Sequence, residues 1–273
     1  MLTGAMIRWV FAIVLLIPAA AQANPVIERL AHVLRIDEVV DILRDEGITG
    51  SGELAREMLG REGGPVWTRQ IAEIHDPEMM RSVLIQALDR GLTMDQAIAA
   101  ADFFETETGQ VILNLEHAAR RAMSDENVKQ MAINRYHDLA GSDDPRLREI
   151  ETYVDVNDLI ELNVRGTMAS TFQFMVGMMN GRGLTLDDEM IAAAILGNRE
   201  QTEAETRDWV YGYLLVAYNP LTDAQMQANI AFSETEAGQA LNTALFEGFD
   251  EMYQTIFYRT GMAVAKARGE SDL

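Results

Sequence analysis

The apolar positions along this chain recur with the spacing of amphipathic α-helices. Between about Glu236 and Arg268 one apolar face carries Ala237, Leu241, Leu245, Phe249, Met252, Ile256, Ala263 and Ala267. Residues three or four positions apart lie on the same side of a helix, so this pattern predicts one long helix. No alternating apolar and polar run of useful length predicts a strand. The sequence therefore predicts an all-α fold of about a dozen helices.

Several positions predict where helices begin and end. A second helix is expected from Glu107, but its apolar phase shifts after Met123. Ser124–Asp125 can cap a new helix, so a kink or break is predicted there. Asp76–Pro77 and Asp144–Pro145 each place a capping carboxylate before a proline at the first helical position.

One stretch of sequence occurs twice. Residues 92–110 (LTMDQAIAAADFFETETGQ) and 221–239 (LTDAQMQANIAFSETEAGQ) align without a gap and agree at 10 of 19 positions. Unrelated helical sequences of this length would agree at only about one or two positions. An internal duplication is therefore predicted.

A weaker similarity extends the duplication upstream. Residues 34–43 (LRIDEVVDIL) resemble 154–163 (VDVNDLIELN). The two similarities together predict two tandem multi-helix repeats, 24–141 and 142–273, each ending in a long amphipathic helix. A repeated helical unit that stacks on its copy creates a groove between the two.

The duplicated stretch opens with a capping box. Thr93 and Gln96 in the first copy, and Thr222 and Gln225 in the second, have the spacing at which the threonine hydroxyl accepts from the third helical amide. The glutamine side chain reaches back to the amide of the threonine. Each copy is therefore expected to start a helix at this point.

A corner between two helices is predicted next. Thr106 and Thr235 can each cap the following helix, and a glycine three residues later suggests close packing of another backbone. The residues of this structural motif are Phe103, Thr106, Gly109 and Gln110 in the first copy and Phe232, Thr235, Gly238 and Gln239 in the second.

This pattern, F-[FY]-x-[ST]-x-x-G-[QK] before a long amphipathic helix, resembles the bacterial domain-of-unknown-function family 2059, here in two copies. The family usually carries proline after the Ser/Thr, where this chain has Glu107 and Glu236, and Ser233 stands in place of the second aromatic residue. The resemblance implies an exported helical protein. It implies no activity, catalytic residue or cofactor.

The N-terminus has the pattern of a cleavable signal peptide over residues 1–23. Arg8 provides a positive start, Trp9–Ile17 an apolar core, and Ala21–Ala23 (AQA) a cleavage site, so the mature chain is expected to begin at Asn24. A membrane anchor is the alternative, but the apolar run is shorter than the ~20 residues that a spanning helix needs. The pattern predicts export to the periplasm without stable membrane insertion.

The charge balance restricts the possible partners. The chain has 43 acidic and 22 basic residues, for a formal charge of −21, and removal of Arg8 with the signal gives −22. Such a surface repels nucleic acid and anionic headgroups. It also keeps an exported protein in solution. Because the chain has no cysteine, disulfides, a lipoprotein anchor and thiol chemistry are excluded.

No catalytic motif is recognisable. The four histidines show no metal-binding spacing, so no metal site and no cofactor are predicted. Glu105 and Glu234 occupy equivalent positions in the two copies, and paired carboxylates can hydrolyse glycans. A cell-envelope hydrolase that uses these glutamates is the alternative hypothesis, although the abundance of acidic residues and the capping role explain the same spacing.

Methionines give the candidate binding residues. Met175, Met178 and Met179 cluster on an apolar segment, and Trp209 lies in another. Such residues form a pliable core, line a groove for an apolar ligand or partner, or bind copper through thioethers. The leading hypothesis is a non-enzymatic periplasmic module that binds a protein or an apolar ligand.

Overall fold

The computed structural model describes residues 24–184 and 188–269. This part of the chain is all-α, with thirteen helices and no β-strand, which confirms the predicted fold class. The predicted signal peptide lies outside the described residues. The helices are α1 (Pro25–Val33), α2 (Ile36–Leu59), α3 (Gly64–Ile74), α4 (Pro77–Gly91), α5 (Met94–Glu105), α6 (Glu107–Ala122), α7 (Glu126–Leu139), α8 (Pro145–Val156), α9 (Leu159–Gly181), α10 (Asp188–Leu196), α11 (Arg199–Tyr218), α12 (Asp223–Ser233) and α13 (Glu236–Gly269).

Helix starts follow the local signals in the sequence. The side chains of Asp76 and Asp144 accept hydrogen bonds from backbone amides at distances of 2.7 and 2.9 Å, and the next residue in each case is the proline that begins the helix. The predicted break after α6 is confirmed, because Asp125 caps α7 by accepting from the amide of Asn127. The predicted long helix is α13, which runs without interruption.

Two hydrophobic cores divide the described residues. The first core is formed by buried side chains of α1 to α5 together with α13, among them Leu84, Leu88 and Met252. The second core is formed mainly by α6, α8, α11 and α12, among them Ile112 and Tyr218. Each core thus combines helices from both sides of the predicted boundary near residue 141.

The helix that follows each copy of the corner packs against the other half of the chain. Helix α13 lies along α4, where Gly248 sits against Ala87 and Arg90 forms an ion pair with Glu251 at 2.7 Å. Helix α6 lies along α11, and Ile112 packs in the second core. Each of these two helices therefore also packs against helices from the other side of residue 141.

Helix α9 has its most extensive contact with α13. The two helices run parallel, since Gly166 lies beside Asp250 and Gly181 beside Ala265. In the middle of the contact Gly177 faces the carbonyl of Tyr258, with no room for a Cβ atom. One side of α9 is therefore covered by α13. Helices α10 and α11 pack against other parts of α9.

Candidate functional site

Both capping boxes are present. The Thr93 amide donates to Gln96 Oε1 at 2.9 Å, and the Gln96 amide donates to Thr93 Oγ1 at 3.3 Å. The same two bonds join Thr222 and Gln225 at 3.0 and 3.3 Å. The duplicated sequence therefore produces the same helix start at both places.

The threonines of the two corners cap the helices that follow them. Thr106 Oγ1 accepts from the amide of Gly109 at 3.1 Å and donates to the carbonyl of Phe103 at 2.6 Å. Thr235 Oγ1 makes the equivalent bonds, at 3.0 Å to Gly238 and 2.6 Å to the carbonyl of Phe232. Each hydroxyl thus joins the end of one helix to the start of the next.

The last residue of each motif closes the corner from the other side. Gln110 Nε2 donates to the carbonyl of Phe104 at 2.8 Å, and Gln239 Nε2 donates to the carbonyl of Ser233 at 2.6 Å. These carbonyls lie at a helix end, where the backbone lacks its usual partners. Every polar residue of the duplicated motif therefore has a structural bonding partner within its own corner.

The phenylalanines of the two copies meet. The rings of Phe103 and Phe232 stack with centroids 4.2 Å apart and planes inclined by 2°. Phe104 adds an edge-on contact to Phe232 at 5.3 Å. The two corners are thus packed against each other through equivalent side chains.

The two glutamates of the hydrolase hypothesis lie exposed on these corners. Arg29 donates to both carboxylate oxygens of Glu105, at 2.9 and 2.7 Å, and this hydrogen bonding lowers the pKa of Glu105. A glycosidase acid needs a raised pKa in an enclosed cleft. Both Glu105 and Glu234 instead have exposed side chains outside any enclosed cleft.

The histidines are dispersed. His75 is buried and its Nδ1 lies 3.0 Å from the carbonyl of Ile71, whereas His137 contacts Asp208 at 2.7 Å on the surface. Within residues 24–184 and 188–269, no three His, Asp or Glu side chains are grouped so that they could hold a metal ion.

The candidate binding residues do not form one cluster. Met175, Met178 and Met179 are half-buried on α9, and Met178 packs against the first core. Trp209 is half-buried against the second core, where it stacks on Tyr213 with centroids 5.2 Å apart. The indole also receives the guanidinium of Arg120, at 4.9 Å from its centroid.

Helix α10 and the short segment after α9 expose large apolar side chains that the sequence interpretation missed. Leu184, Met190 and Leu196 have exposed fractions of 49%, 61% and 61%, whereas Ile191 and Ile195 of the same helix are buried. Helix α10 is therefore apolar on both sides, and it packs mainly against α9. We call Met175, Met179, Leu184, Met190 and Leu196 the α9–α10 surface.

A carboxyl group in the contact between α6 and α11 was also missed. Glu116 Oε1 accepts a hydrogen bond from the hydroxyl of Tyr218 at 2.5 Å. Burial raises the pKa of Glu116 to about 7, and the bond from Tyr218 acts in the opposite direction. A glutamate on an amphipathic helix gives no sequence signal of such an environment.

Among the clefts that the described residues form, the two best defined hold no recognisable catalytic arrangement. The larger, of about 590 Å³, lies between α9 and α13 and includes Gln173, Glu247, Asp250 and Tyr258. Burial raises the pKa of Asp250. None of the described helices combines the length and apolar content required to cross a membrane.

Comparison with known proteins gives one relationship. No curated protein and no solved structure matches the chain. The family match begins in α4 and ends in α7, so it includes the first copy of the corner motif and not the second. Residues 78–135 match the family DUF2059, described as an uncharacterized protein conserved in bacteria, which supports the resemblance to that family and assigns no activity.

Proposed function

We propose that the protein is a non-enzymatic binding module of the bacterial periplasm, which binds a protein partner or an apolar ligand through the α9–α10 surface. The observation that carries this proposal is the exposure of Leu184, Met190 and Leu196, of which about half or more of each side chain faces solvent. Large apolar groups exposed together on a soluble protein commonly mark an interaction site.

The chemistry of the α9–α10 surface suits an adaptable contact. Met175, Met179 and Met190 have unbranched, polarisable side chains that can repack around partners of different shape. The half-buried Met175 and Met179 belong to α9 and the exposed Met190 to α10, and these two helices pack against each other. The proposal therefore keeps the methionines as binding residues and adds α10 to them.

The net charge, the N-terminal sequence and the family match also support a periplasmic binding role. The strongly acidic charge disfavours nucleic acid as a partner. The N-terminal pattern of residues 1–23 is that of an export signal, and the family match is to bacterial proteins. A neutral or basic partner with an apolar contact face fits this charge distribution.

Site-specific photocrosslinking of the full chain in a bacterial periplasm tests the proposal. A benzophenone amino acid is placed at position 190, and a matched control is placed at position 131, where Met131 is an exposed methionine of α7 with an exposed fraction of 71%. We expect position 190 to give a discrete adduct that position 131 does not give. A protein partner shifts the band on a gel, whereas an apolar ligand adds a small mass.

The control also gives the result that would count against the proposal. Equal, diffuse labelling at both positions, or labelling by neither, would mean that the α9–α10 surface is no more a binding site than an isolated methionine. Met190→Lys should abolish an adduct formed from a crosslinker at position 179, while Met131→Lys should leave it unchanged.

A further inference from the structure

The contact between α6 and α11 contains an acidic side chain, Glu116, whose pKa is set by burial and by Tyr218 and not by a basic group. The carboxyl group of Glu116 accepts from Tyr218, and the Glu116 carbonyl accepts from the hydroxyl of Tyr213 at 3.2 Å. Both donors come from α11, whereas Glu116 belongs to α6. Residue 116 therefore accepts two bonds across this contact, and only the one from Tyr218 depends on the glutamate side chain.

The groups around Glu116 are mostly uncharged. Helix α8 contributes Tyr153, whose ring meets that of Tyr218 edge-on at 5.2 Å, and α12 contributes Asn229. Asn229 is 2% exposed and lies beside the hydroxyl of Tyr153. The groups that α8 and α11 bring towards Glu116 are therefore tyrosine hydroxyls, which carry no charge.

The basic side chains that follow Glu116 on α6 face other groups. Arg120, one turn further along α6, donates to both oxygens of Glu46 on α2 at 2.7 Å and lies over the ring of Trp209. Tyr253 of α13 is beside this ion pair. His117, the neighbour of Glu116 in sequence, lies 3.2 Å from Glu38.

We propose that the contact between α6 and α11 is a pH-sensitive closure, which is firm when Glu116 carries its proton and loosens when the proton is lost. This inference concerns a different part of the molecule from the α9–α10 surface and does not depend on the proposed function. It assigns Glu116 the role of a switch residue and Tyr218 the role of its positioning residue.

The physical reason is the difference in solvation between the closed and open contacts. A carboxylate facing tyrosine hydroxyls without a free cation is poorly stabilised, whereas the same group in water is fully hydrated. Residue Glu116 as a whole is half-buried, so we expect a small separation of α6 from α11 to let water reach its buried carboxylate. Because the two helices come from different halves of the chain, the loosening acts where the halves meet.

The direction of the effect follows from proton binding. In the closed contact the pKa of Glu116 is about 7, whereas in an open contact it returns towards the ordinary value of 4.5. Between these values the closed form holds more protons, so closure is favoured at low pH and weakens as the pH rises towards 7. Above that pH both forms are ionised, and the effect levels off.

Hydrogen exchange of the full mature chain tests the closure. Amide protection in α6 and α11 is measured from pH 5 to 8.5 and corrected for the chemical exchange rate. In the wild type we expect protection to fall by about tenfold to a hundredfold as the pH rises from 5, and to level off near pH 7. Each unit of difference between the pKa of Glu116 in the closed and open contacts changes the closing equilibrium by about a factor of ten. In Glu116→Gln the protection should not change with pH.

Tyr218→Phe separates a switch from a merely structural role. The hydroxyl of Tyr218 lowers the pKa of Glu116, so its loss should move the levelling-off point to higher pH. The exposed Glu234→Gln serves as a control and should leave the wild-type profile intact. Protection that is independent of pH in the wild type, or a Glu116→Gln profile equal to that of the wild type, overturns the proposal. If Glu116→Gln does not fold, an unmoved levelling-off point in Tyr218→Phe overturns it by itself.

Discussion

The glycines of the two corners give the sharpest test of the fold. A Cβ atom built on Gly109 would lie 2.5 Å from both the carbonyl oxygen of Phe103 and the Cα of Phe104. On Gly238 it would lie 2.9 Å from the Cα of Ser233 and still closer to the carbonyl of the preceding phenylalanine. These are backbone atoms, which cannot rotate away as a side chain can. We therefore expect Gly109→Ala and Gly238→Ala to destabilise the protein.

Two opposing effects determine the size of the change. Alanine is favoured over glycine within a helix by about 1 kcal/mol. Overpacking of a filled site costs about 1 to 3 kcal/mol, and a contact with backbone belongs at the upper end. The hydrogen bonds of Thr106 and Gln110 hold the corner in place and prevent it from opening to relieve the contact. A net loss of about 2 kcal/mol in the free energy of unfolding is expected for each variant.

A glycine with free space around it provides the matched control. Gly50 lies in the interior of α2 and is exposed, and no other group lies within 4 Å of the position that a Cβ atom would take there. Gly50→Ala should therefore raise the free energy of unfolding by about 0.5 to 1 kcal/mol. The predicted sign is opposite at Gly50 and at Gly109, although both substitutions are chemically identical.

Urea unfolding followed by circular dichroism measures both effects. The midpoint should fall for Gly109→Ala and Gly238→Ala and rise for Gly50→Ala, with the same slope in all proteins. If the midpoint rises for all three variants, helix propensity alone governs these sites. The inference that backbone atoms leave no room for a Cβ atom at Gly109 and Gly238 would then be wrong.

Three further predictions concern other parts of the fold. Thr106→Ala and Thr235→Ala should each lower the free energy of unfolding by about 0.5 to 2 kcal/mol, whereas serine at either position should restore most of it, as measured in the same urea assay. Burial lowers the pKa of His75, so below pH 6.5 the unfolded chain binds a proton at this residue more readily than the folded chain does. The free energy of unfolding should therefore decline as the pH falls below 6.5. In thermal unfolding, His75→Gln should flatten this decline. Residues 24–141 and 142–273, expressed separately, should each fail to give the helical content and cooperative unfolding of the full chain, because each core contains helices from both segments. A segment that unfolds cooperatively on its own would show that the contacts between the two segments are dispensable.

Features with local causes were predictable from the sequence. The carboxylates at Asp76 and Asp144 cap helices in the predicted way, since capping needs only residues a few positions apart. The break at Asp125 and the length of α13 follow from the phase of the apolar pattern. The all-α class follows from the same pattern.

Contacts between distant residues were not predictable in this way. Phe103 and Phe232 stack although 129 positions separate them, and Glu116 meets Tyr218 across 102 positions. The duplication identified Phe103 and Phe232 as equivalent residues, but equivalence does not imply contact. Nothing near Glu116 in the sequence distinguishes it from the many solvated glutamates of this acidic chain.

The candidate binding site was predicted in part. The methionines of α9 were identified from their clustering, and the structure places Met178 against the first core. Met190 and Leu196 were overlooked because their segment, MIAAAIL, is short and contains no charge. That absence of a polar face was itself a usable signal, since a short helix without one must either be buried or expose apolar groups.

The helices that follow the two corners differ in length, and the difference lies next to the α9–α10 surface. Both corners have the same hydrogen bonds, which account for the duplicated residues without any ligand. The helices that follow them differ, since α6 has 16 residues and α13 has 34. The additional length of α13 packs against α9 near Gly177 and Gly181, at the end of α9 from which α10 begins. The additional length of α13 also contributes Ile256, Ala263 and Val264 to the first core, so the photocrosslinking at position 190, and not the helix length, is what tests a binding role for the α9–α10 surface.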